Sequence, residues 1–329
     1  MTTLKVLFIG GTGIISSACS RRAVAAGIDL TVLNRGRTTL RALPEGAEVI
    51  HGDVRDPVSI NAAVGHRRFD VVVDFLAFTP DHVQVDIDLF GGRVAQYVFI
   101  SSASAYQTPP GRLPIVESTP LRNPYWQYSR DKIACEELLV AAYRADGFPA
   151  TIVRPSHTYD RTSIPLMGGW TDIDRMRRGL PVVVHGDGTS LWTLTHHDDF
   201  AKAFVGLLGH PQATGDSFQI TSDEVLTWNQ IYLAMAAAAG VEPTLVHVAS
   251  ETIAAHDAEL GASLLGDKTH SVIFDNAKVK KLVPDYVATI PFATGAREIV
   301  DWHDADSGRR RIDADLNAAF DKLIATSTS

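Results

Sequence analysis

Residues 4–9 form a short apolar run that breaks into Gly10-Gly11-Thr12-Gly13 and resumes at once as Ile14-Ile15-Ser16. A strand, a glycine turn and a helix in direct succession let the main chain approach a bound anion, whose charge then faces the helix N-terminus. The spacing sets Gly10, Thr12, Gly13, Ile14 and Ile15 against the pyrophosphate of a dinucleotide, as Gly11-x-Gly13 or Gly10-x-x-Gly13. Ser16 stands where a last glycine would ease packing of helix on strand. The helix is expected from about Ile14.

Beyond this helix the chain repeats the strand and helix alternation. Strand-like runs fall at 30–34, 48–51, 70–77, 97–101 and 151–154, and the rhythm predicts an α/β doubly wound parallel sheet. Val71-Val72-Val73 and Val98-Phe99-Ile100 are continuously apolar, as strands covered on both faces must be. After Pro155 the rhythm loosens, with short strands expected at 182–185 and 193–196, helices at 199–208, 228–239 and 290–302, and a returning strand at 217–221. Residues 1–155 are therefore read as the nucleotide-binding domain, to which 196–222 return, and 156–329 as mainly a smaller substrate-binding part. The tail 326–329 is expected to be disordered.

Charge and apolar content narrow the partners. A formal net charge of −8 over 329 residues lacks the basic footprint of a nucleic-acid binder, so a small-molecule substrate is expected. The basic clusters Arg175-Met176-Arg177-Arg178 and Arg309-Arg310-Arg311 sit among acids and read as solvated faces. No apolar run reaches the ~20 residues of a membrane span, and the first strand begins too early for a leader to precede it, so a cytoplasmic protein without membrane partners is expected. Cys19 and Cys135 read as reduced packing residues.

At the end of the second strand, about 20 residues past the glycines, a carboxylate would select NAD and an Arg would accept the extra phosphate of NADP. Here the chain reads Asn34-Arg35-Gly36-Arg37, which tilts the expected cofactor, NAD or NADP, toward NADP. Asp53-Val54 is a candidate adenine-edge contact. Farther on, Tyr128 and Lys132 stand at i and i+4, adjacent on one helix face. A cation beside a phenol favours its ionised form and permits proton exchange with a substrate oxygen. The run His196-His197-Asp198-Asp199 is contiguous, so its side chains are expected to diverge, with an Asp capping the next helix and no metal bound.

Taken together, Gly10-Gly11-Thr12-Gly13-Ile14-Ile15, Asp53-Val54-Arg55-Asp56, Ser101-Ser102-Ala103-Ser104-Ala105-Tyr106, Tyr128-Ser129-Arg130-Asp131-Lys132, Arg154-Pro155, Gly186-Asp187-Gly188 and His196-His197-Asp198-Asp199 resemble the extended short-chain dehydrogenase/reductase family, the NAD-dependent epimerase/dehydratase group, over nearly the whole chain. The resemblance implies a Rossmann-type fold and a catalytic Ser102, Tyr128 and Lys132. It makes Tyr128 the acid/base, sets Lys132 on the nicotinamide ribose, and has Ser102 bond the reacting oxygen, with Ser104 toward the substrate. Leu76, Ala77, Ser101, Pro155 and His157 would border the cofactor. His157, where the family more often has Asn, is also expected to touch substrate.

Many nucleotide-sugar members hold the substrate diphosphate with an Arg shortly after the Gly-Asp-Gly turn. Trp192 occupies that place, leaving Arg175 or Arg178 as the substitute cation and Trp126 and Trp192 as substrate walls. The implied activity is a sugar or nucleotide-sugar epimerase working by transient oxidation of a carbinol carbon. The alternative is a one-way ketone reductase or alcohol dehydrogenase on a sugar-like substrate. Dehydratase chemistry fits less, because Ala103-Ser104 occupies the place of its usual acidic pair. A third reading, a non-catalytic nucleotide-sensing or RNA-associated relative, arises because Asn34-Arg35-Gly36 is also similar to the chloroplast stem-loop-binding members. The resemblance further implies a homodimer formed through helices near 80–92 and 127–145.

Overall fold

The computed structural model describes residues 3–37 and 40–327. Six strands alternate with four helices in the first half: β1 (Lys5–Ile9), α1 (Ile14–Ala25), β2 (Asp29–Asn34), β3 (Glu48–His51), α2 (Pro57–Val64), β4 (Val71–Asp74), α3 (Pro80–Phe90), β5 (Gln96–Ile100), α4 (Gln127–Asp146) and β6 (Ala150–Pro155). Next come β7 (His157–Tyr159), α5 (Trp170–Arg177), β8 (Val182–His185), β9 (Leu191–Trp192), β10 (Leu194–His196), α6 (His197–Leu207), β11 (Asp216–Ile220), β12 (Leu226–Thr227), α7 (Trp228–Ala238) and β13 (Leu245–Val248). Helices α8 (Ser250–His256), α9 (Ala258–Ser263), α10 (Ala277–Leu282), α11 (Phe292–Asp304) and α12 (Ala314–Ser327) complete the chain.

A seven-stranded sheet in the order β11-β6-β5-β4-β1-β2-β3, with every pairing parallel, forms the centre. Val6 and Phe8 of β1 pack under α6 with Phe200 and Phe204, while Leu7 and Ile9 point into the opposite layer with Val72, Tyr97 and Leu139. Both faces of the sheet are therefore buried, which is why its strands carry apolar runs and not alternation. The chain changes direction along the sheet between β1 and β4, and a crevice opens there at the strands' carboxyl ends.

Strand β4 ends at Asp74, three residues before the expected end at 77. The Asp74 carboxylate accepts the Leu76 and Ala77 N–H groups and turns the chain out of the sheet. Helix α6 starts at His197, and its cap is the His196 imidazole, which accepts the Asp198 N–H, and not the expected Asp. Residues 326 and 327 belong to α12, where the Thr326 hydroxyl donates to the Lys322 and Leu323 carbonyls, so disorder does not begin at 326; positions 328 and 329 lie outside the described residues.

The later elements fold beside the sheet. Parallel pairing of β7 with β10 sets His157 opposite Leu194, and antiparallel pairing of β9 with β12 sets Trp192 opposite Leu226. No helix among the described residues is long and apolar enough to cross a membrane, and both cysteines are buried and free.

Beneath β6, Arg154 and Glu136 form a buried ion pair at 2.6 Å, joined by the Ser101 hydroxyl and by Tyr106. Removing one partner strands the other charge in a dry site. Arg154→Met is expected to cost about 3–5 kcal/mol in urea unfolding, and the double variant with Glu136→Gln to recover part of that loss.

Candidate functional site

The glycine turn acts through close packing. Gly10 has φ +87°, and a Cβ there would lie 2.6 Å from Leu76; one on Gly11 would meet Val32 at 2.7 Å. Ser16 is accommodated because its hydroxyl accepts the Gly13 N–H at 2.8 Å and begins α1 as a capping residue. Helix α1 buries mostly small side chains, including Ser16, Ser17, Ala18, Ser20 and Ala23, and so lies close to the sheet. A crevice of about 430 Å³ is lined by Gly10, Thr12, Gly13, Asn34, Arg35, Arg37, Asp53, Val54 and Leu76. Ile14 and Ile15 are half-buried at its helix side.

The cations on this crevice differ in their commitments. Arg41 pairs with Asp160 at 2.5 Å, and Arg55 gives an N–H to the Leu76 carbonyl. Arg35 and Arg37 are exposed on the rim. This is a site built for an extended anion: close main chain at one end and arginines at the other.

A second cavity, about 270 Å³, is lined by Ser102, Ser104, Trp126, Tyr128, Pro155, His157 and Trp192. It gathers residues from the end of β5, the start of α4, β7 and β9. Helix α4 carries Tyr128 and Lys132 one turn apart, as the spacing predicts. The Lys132 ammonium is buried and donates to the Ala77 and Ile100 carbonyls, each at 2.7 Å, and lies 5.8 Å from the Tyr128 ring centroid. Two of its three N–H groups are thereby used and one is left. Burial pulls Lys132 down to about 8.

Tyr128 differs electrostatically from the expectation. Burial pushes its phenol up to about 12, with the Ser102 hydroxyl pulling the other way through a hydrogen bond, so the neighbouring ammonium does not produce a phenolate here. Two of the Lys132 donors are spent on carbonyls and none is directed to the phenol. Ser102 and Ser104 share a hydrogen bond at 2.9 Å, and Ser129 donates to Ser104 at 2.8 Å, so three hydroxyls run from within α4 to the cavity.

His157 is held by Trp192, whose indole N–H donates to Nδ1 at 3.3 Å. That bond leaves Nε2 as the protonated nitrogen of the neutral ring. Burial, helped by the Lys268 charge, pushes His157 down to about 3.

Three expected residues lie elsewhere. Arg175 is 1% exposed and spent on Asp321, Asn317 and the Pro181 carbonyl; it anchors α12 and neither holds a ligand nor forms a solvated face. Arg178 pairs with Asp174 on the surface. The Ser101 hydroxyl is committed to Glu136 and turns toward the buried ion pair. The histidine run also departs from expectation: ligand atoms of His196, His197 and Asp198 lie within 4.8 Å of one another, drawn together at the start of α6. They are occupied by Glu298, the Ile14 carbonyl and Arg21 respectively.

Sequence reasoning missed Lys268, Asp267 and Thr193. Lys268 reaches the cavity from a π turn at Leu264–Lys268, lies 5.6 Å from the Trp126 ring and 6.0 Å from that of Trp192, and pairs with Asp267 at 3.3 Å. The buried Thr193 hydroxyl lines the cavity with no partner among the described residues. No motif marks a lone Lys or Thr in loosely patterned sequence.

Over 288 residues, the chain is 28% identical to the 2'-dehydrokanamycin reductase of Streptomyces kanamyceticus, covering 86% of this chain and 80% of that one. It is 27% identical over 256 residues to the chloroplast stem-loop binding protein of 41 kDa b of Arabidopsis thaliana, covering 74% and 65%. The structure of UDP-glucose 4-epimerase from Bifidobacterium longum in complex with NAD+ and UDP superposes with a TM-score of 0.74 at 20% identity, covering 93% and 99%, and shares the fold. With its fold matched in this way and a family model matching residues 6–91 and 88–221, the chain belongs to the NAD dependent epimerase/dehydratase family.

Proposed function

We propose that this chain is an NADP-dependent reductase of a sugar-like ketone, with Tyr128 as the proton donor. The observation that carries the reading is charge. Lys268, the one lysine or arginine among the described residues lining the substrate cavity, is paired with Asp267, and Arg175 is locked in a structural ion pair. A nucleoside diphosphate brings about two negative charges that need matched cations. An epimerase that must release and turn its keto intermediate depends on such a tether; a one-way reductase does not. The greater coverage of the 2'-dehydrokanamycin reductase points the same way. The stem-loop-binding relative argues for a non-catalytic role, but this chain has Tyr128 and Lys132 in place and a net charge of −8.

The dinucleotide, when bound, supplies the hydride for the carbonyl carbon. Gly10, Thr12 and Gly13 would receive its pyrophosphate, Leu76, Asp53 and Val54 its adenosine half, Ala77, Pro155 and His157 its nicotinamide end, and the unused Lys132 N–H a ribose hydroxyl. Arg35 and Arg37 would pair with the additional phosphate. Tyr128 gives its proton to the ketone oxygen as that oxygen becomes a hydroxyl, and Ser102 hydrogen-bonds the same atom. A phenol held at about 12 is fully protonated at neutral pH, which suits donation. His157 Nε2–H and the Thr193 hydroxyl would bond substrate oxygens, with Trp126 and Trp192 as walls.

The same reading places substrate recognition mainly in 156–329 and nucleotide binding mainly in 1–155, in a cytoplasmic enzyme. It also includes a homodimer through α3 and α4. The second reading, a self-recycling sugar epimerase, rests on family membership. Mass spectrometry of dinucleotide released from denatured protein separates them. An empty protein that binds added NADPH reversibly supports the reductase, NAD near one per chain supports the epimerase, and failure to bind either dinucleotide overturns both.

Tyr128→Phe is expected to lower kcat by about 10²–10⁴-fold while leaving NADPH affinity unchanged, measured by ketone-dependent NADPH oxidation and fluorescence titration. Lys132 is cationic below about pH 8 and loses its proton above it. The rate of reduction should therefore fall above about pH 8, without a limb from His157, which stays neutral down to about 3. Arg35→Ala with Arg37→Ala should weaken NADPH by about 10–100-fold and NADH little, read as Kd.

A further inference from the structure

Behind the Lys132 site lie two acids that the proposed chemistry does not use. Asp74, at the end of β4, and Asp86, on α3, are each 1% exposed. One Asp74 oxygen accepts the Leu76 and Ala77 N–H groups; the other, Oδ2, is buried and reached by no conventional donor among the described residues. The Asp86 carboxyl is within hydrogen-bonding reach of Asp74, and its Oδ2 accepts the Tyr97 hydroxyl at 2.6 Å.

The charged and titratable groups around this pair come from every element packed on it, and none bonds the open Asp74 oxygen. Arg55, from the β3 side, directs its guanidinium to the Leu76 carbonyl and the Phe78 ring. Lys132 on α4 is spent on Ala77 and Ile100, and Cys135, on the same helix, keeps its proton because burial pushes its thiol up. On α3, His82 accepts the Phe78 and Thr79 N–H groups at Nδ1, and Asp81 is exposed. On β5, burial raises the Tyr97 phenol, so it serves as a donor. Two carboxylates at hydrogen-bond distance in a dry site cannot both be ionised.

We propose that Asp86 is protonated and donates to Asp74, and that this acid pair is a positioning unit for Lys132, holding the Leu76–Ala77 main chain so that the Ala77 carbonyl meets the ammonium. Burial, followed by the charge of Asp74, holds Asp86 well above the usual carboxylate range, in agreement with the geometry. The unit explains the orphaned Asp74 oxygen and the early end of β4 together. Neither acid lines the nucleotide crevice or the cavity beside Tyr128.

The sign of the pH effect is set by proton count. Between the ordinary carboxylate pKa of about 4 and the raised value in the fold, the folded chain holds one proton that the unfolded chain has released, so this site makes stability fall as pH rises through that window. Asp86→Asn keeps a donor for Asp74 and an acceptor for Tyr97 without needing the proton. It should gain in Tm over the unsubstituted protein progressively from mildly acidic to alkaline pH.

The test uses the full chain without substrate, so it stands or falls separately from the reductase reading. Infrared spectroscopy at neutral pH should show the C=O stretch of a protonated carboxylic acid that Asp86→Asn removes. With ¹³Cε-labelled lysine, the Lys132 titration near pH 8 should be unmoved in Asp86→Asn and lowered by about one unit in Asp86→Leu, whose ammonium loses a well-placed carbonyl. Asp86→Ala serves for this measurement if Asp86→Leu does not fold. Absence of the acid band, or a Tm difference for Asp86→Asn that does not grow with pH, overturns the shared proton. A Lys132 titration unmoved in the apolar variant overturns the positioning role.

Discussion

The Lys132 ammonium, buried between the carbonyls of Ala77 and Ile100, is the interaction on which the arrangement of the site depends. It draws the ends of β4 and β5 and the first turns of α4 to one point. A cation without water must have its N–H groups accepted, and strand ends at the carboxyl edge of a parallel sheet supply those acceptors. With Lys132 fixed, Tyr128 one turn earlier is directed to the cavity, within reach of Ser102. The same commitment leaves the phenol to be governed chiefly by burial.

Around that point the protein separates its charges by task. Arg154 with Glu136, and Arg175 with Asp321 and Asn317, hold elements together. Arg35 and Arg37 stay exposed on the crevice beside the glycine turn, while the cavity beside Tyr128 holds the paired Lys268 and Asp267, the neutral His157 imidazole, hydroxyls and two indoles. Such a lining favours hydrogen bonding and ring stacking over recognition of a highly charged group.

The central sheet was legible because burial on both faces demands continuous apolar runs, and a nucleotide turn needs glycine where side chains would collide with Leu76 and Val32. The Tyr128 and Lys132 pair was legible because helical periodicity alone makes i and i+4 neighbours. The end of β4 was misplaced because Leu76 and Ala77 look like strand; an Asp74 hydrogen bond to their amides overrides that preference. Arg175 was misread because its partners are 142 and 146 residues away on α12.

By itself, then, the sequence determined the α/β class, the glycine turn at the first strand, the arginine-bearing end of the second, and the tyrosine-lysine face of α4. These are properties of local spacing and hydrophobic period, which one segment carries whole. Only the tertiary structure decided which charges are free, which nitrogen of His157 bears its proton, and that Lys268, Thr193 and the Asp74 and Asp86 pair belong near the site. Each of those depends on burial and on partners from distant segments, and both are created by folding.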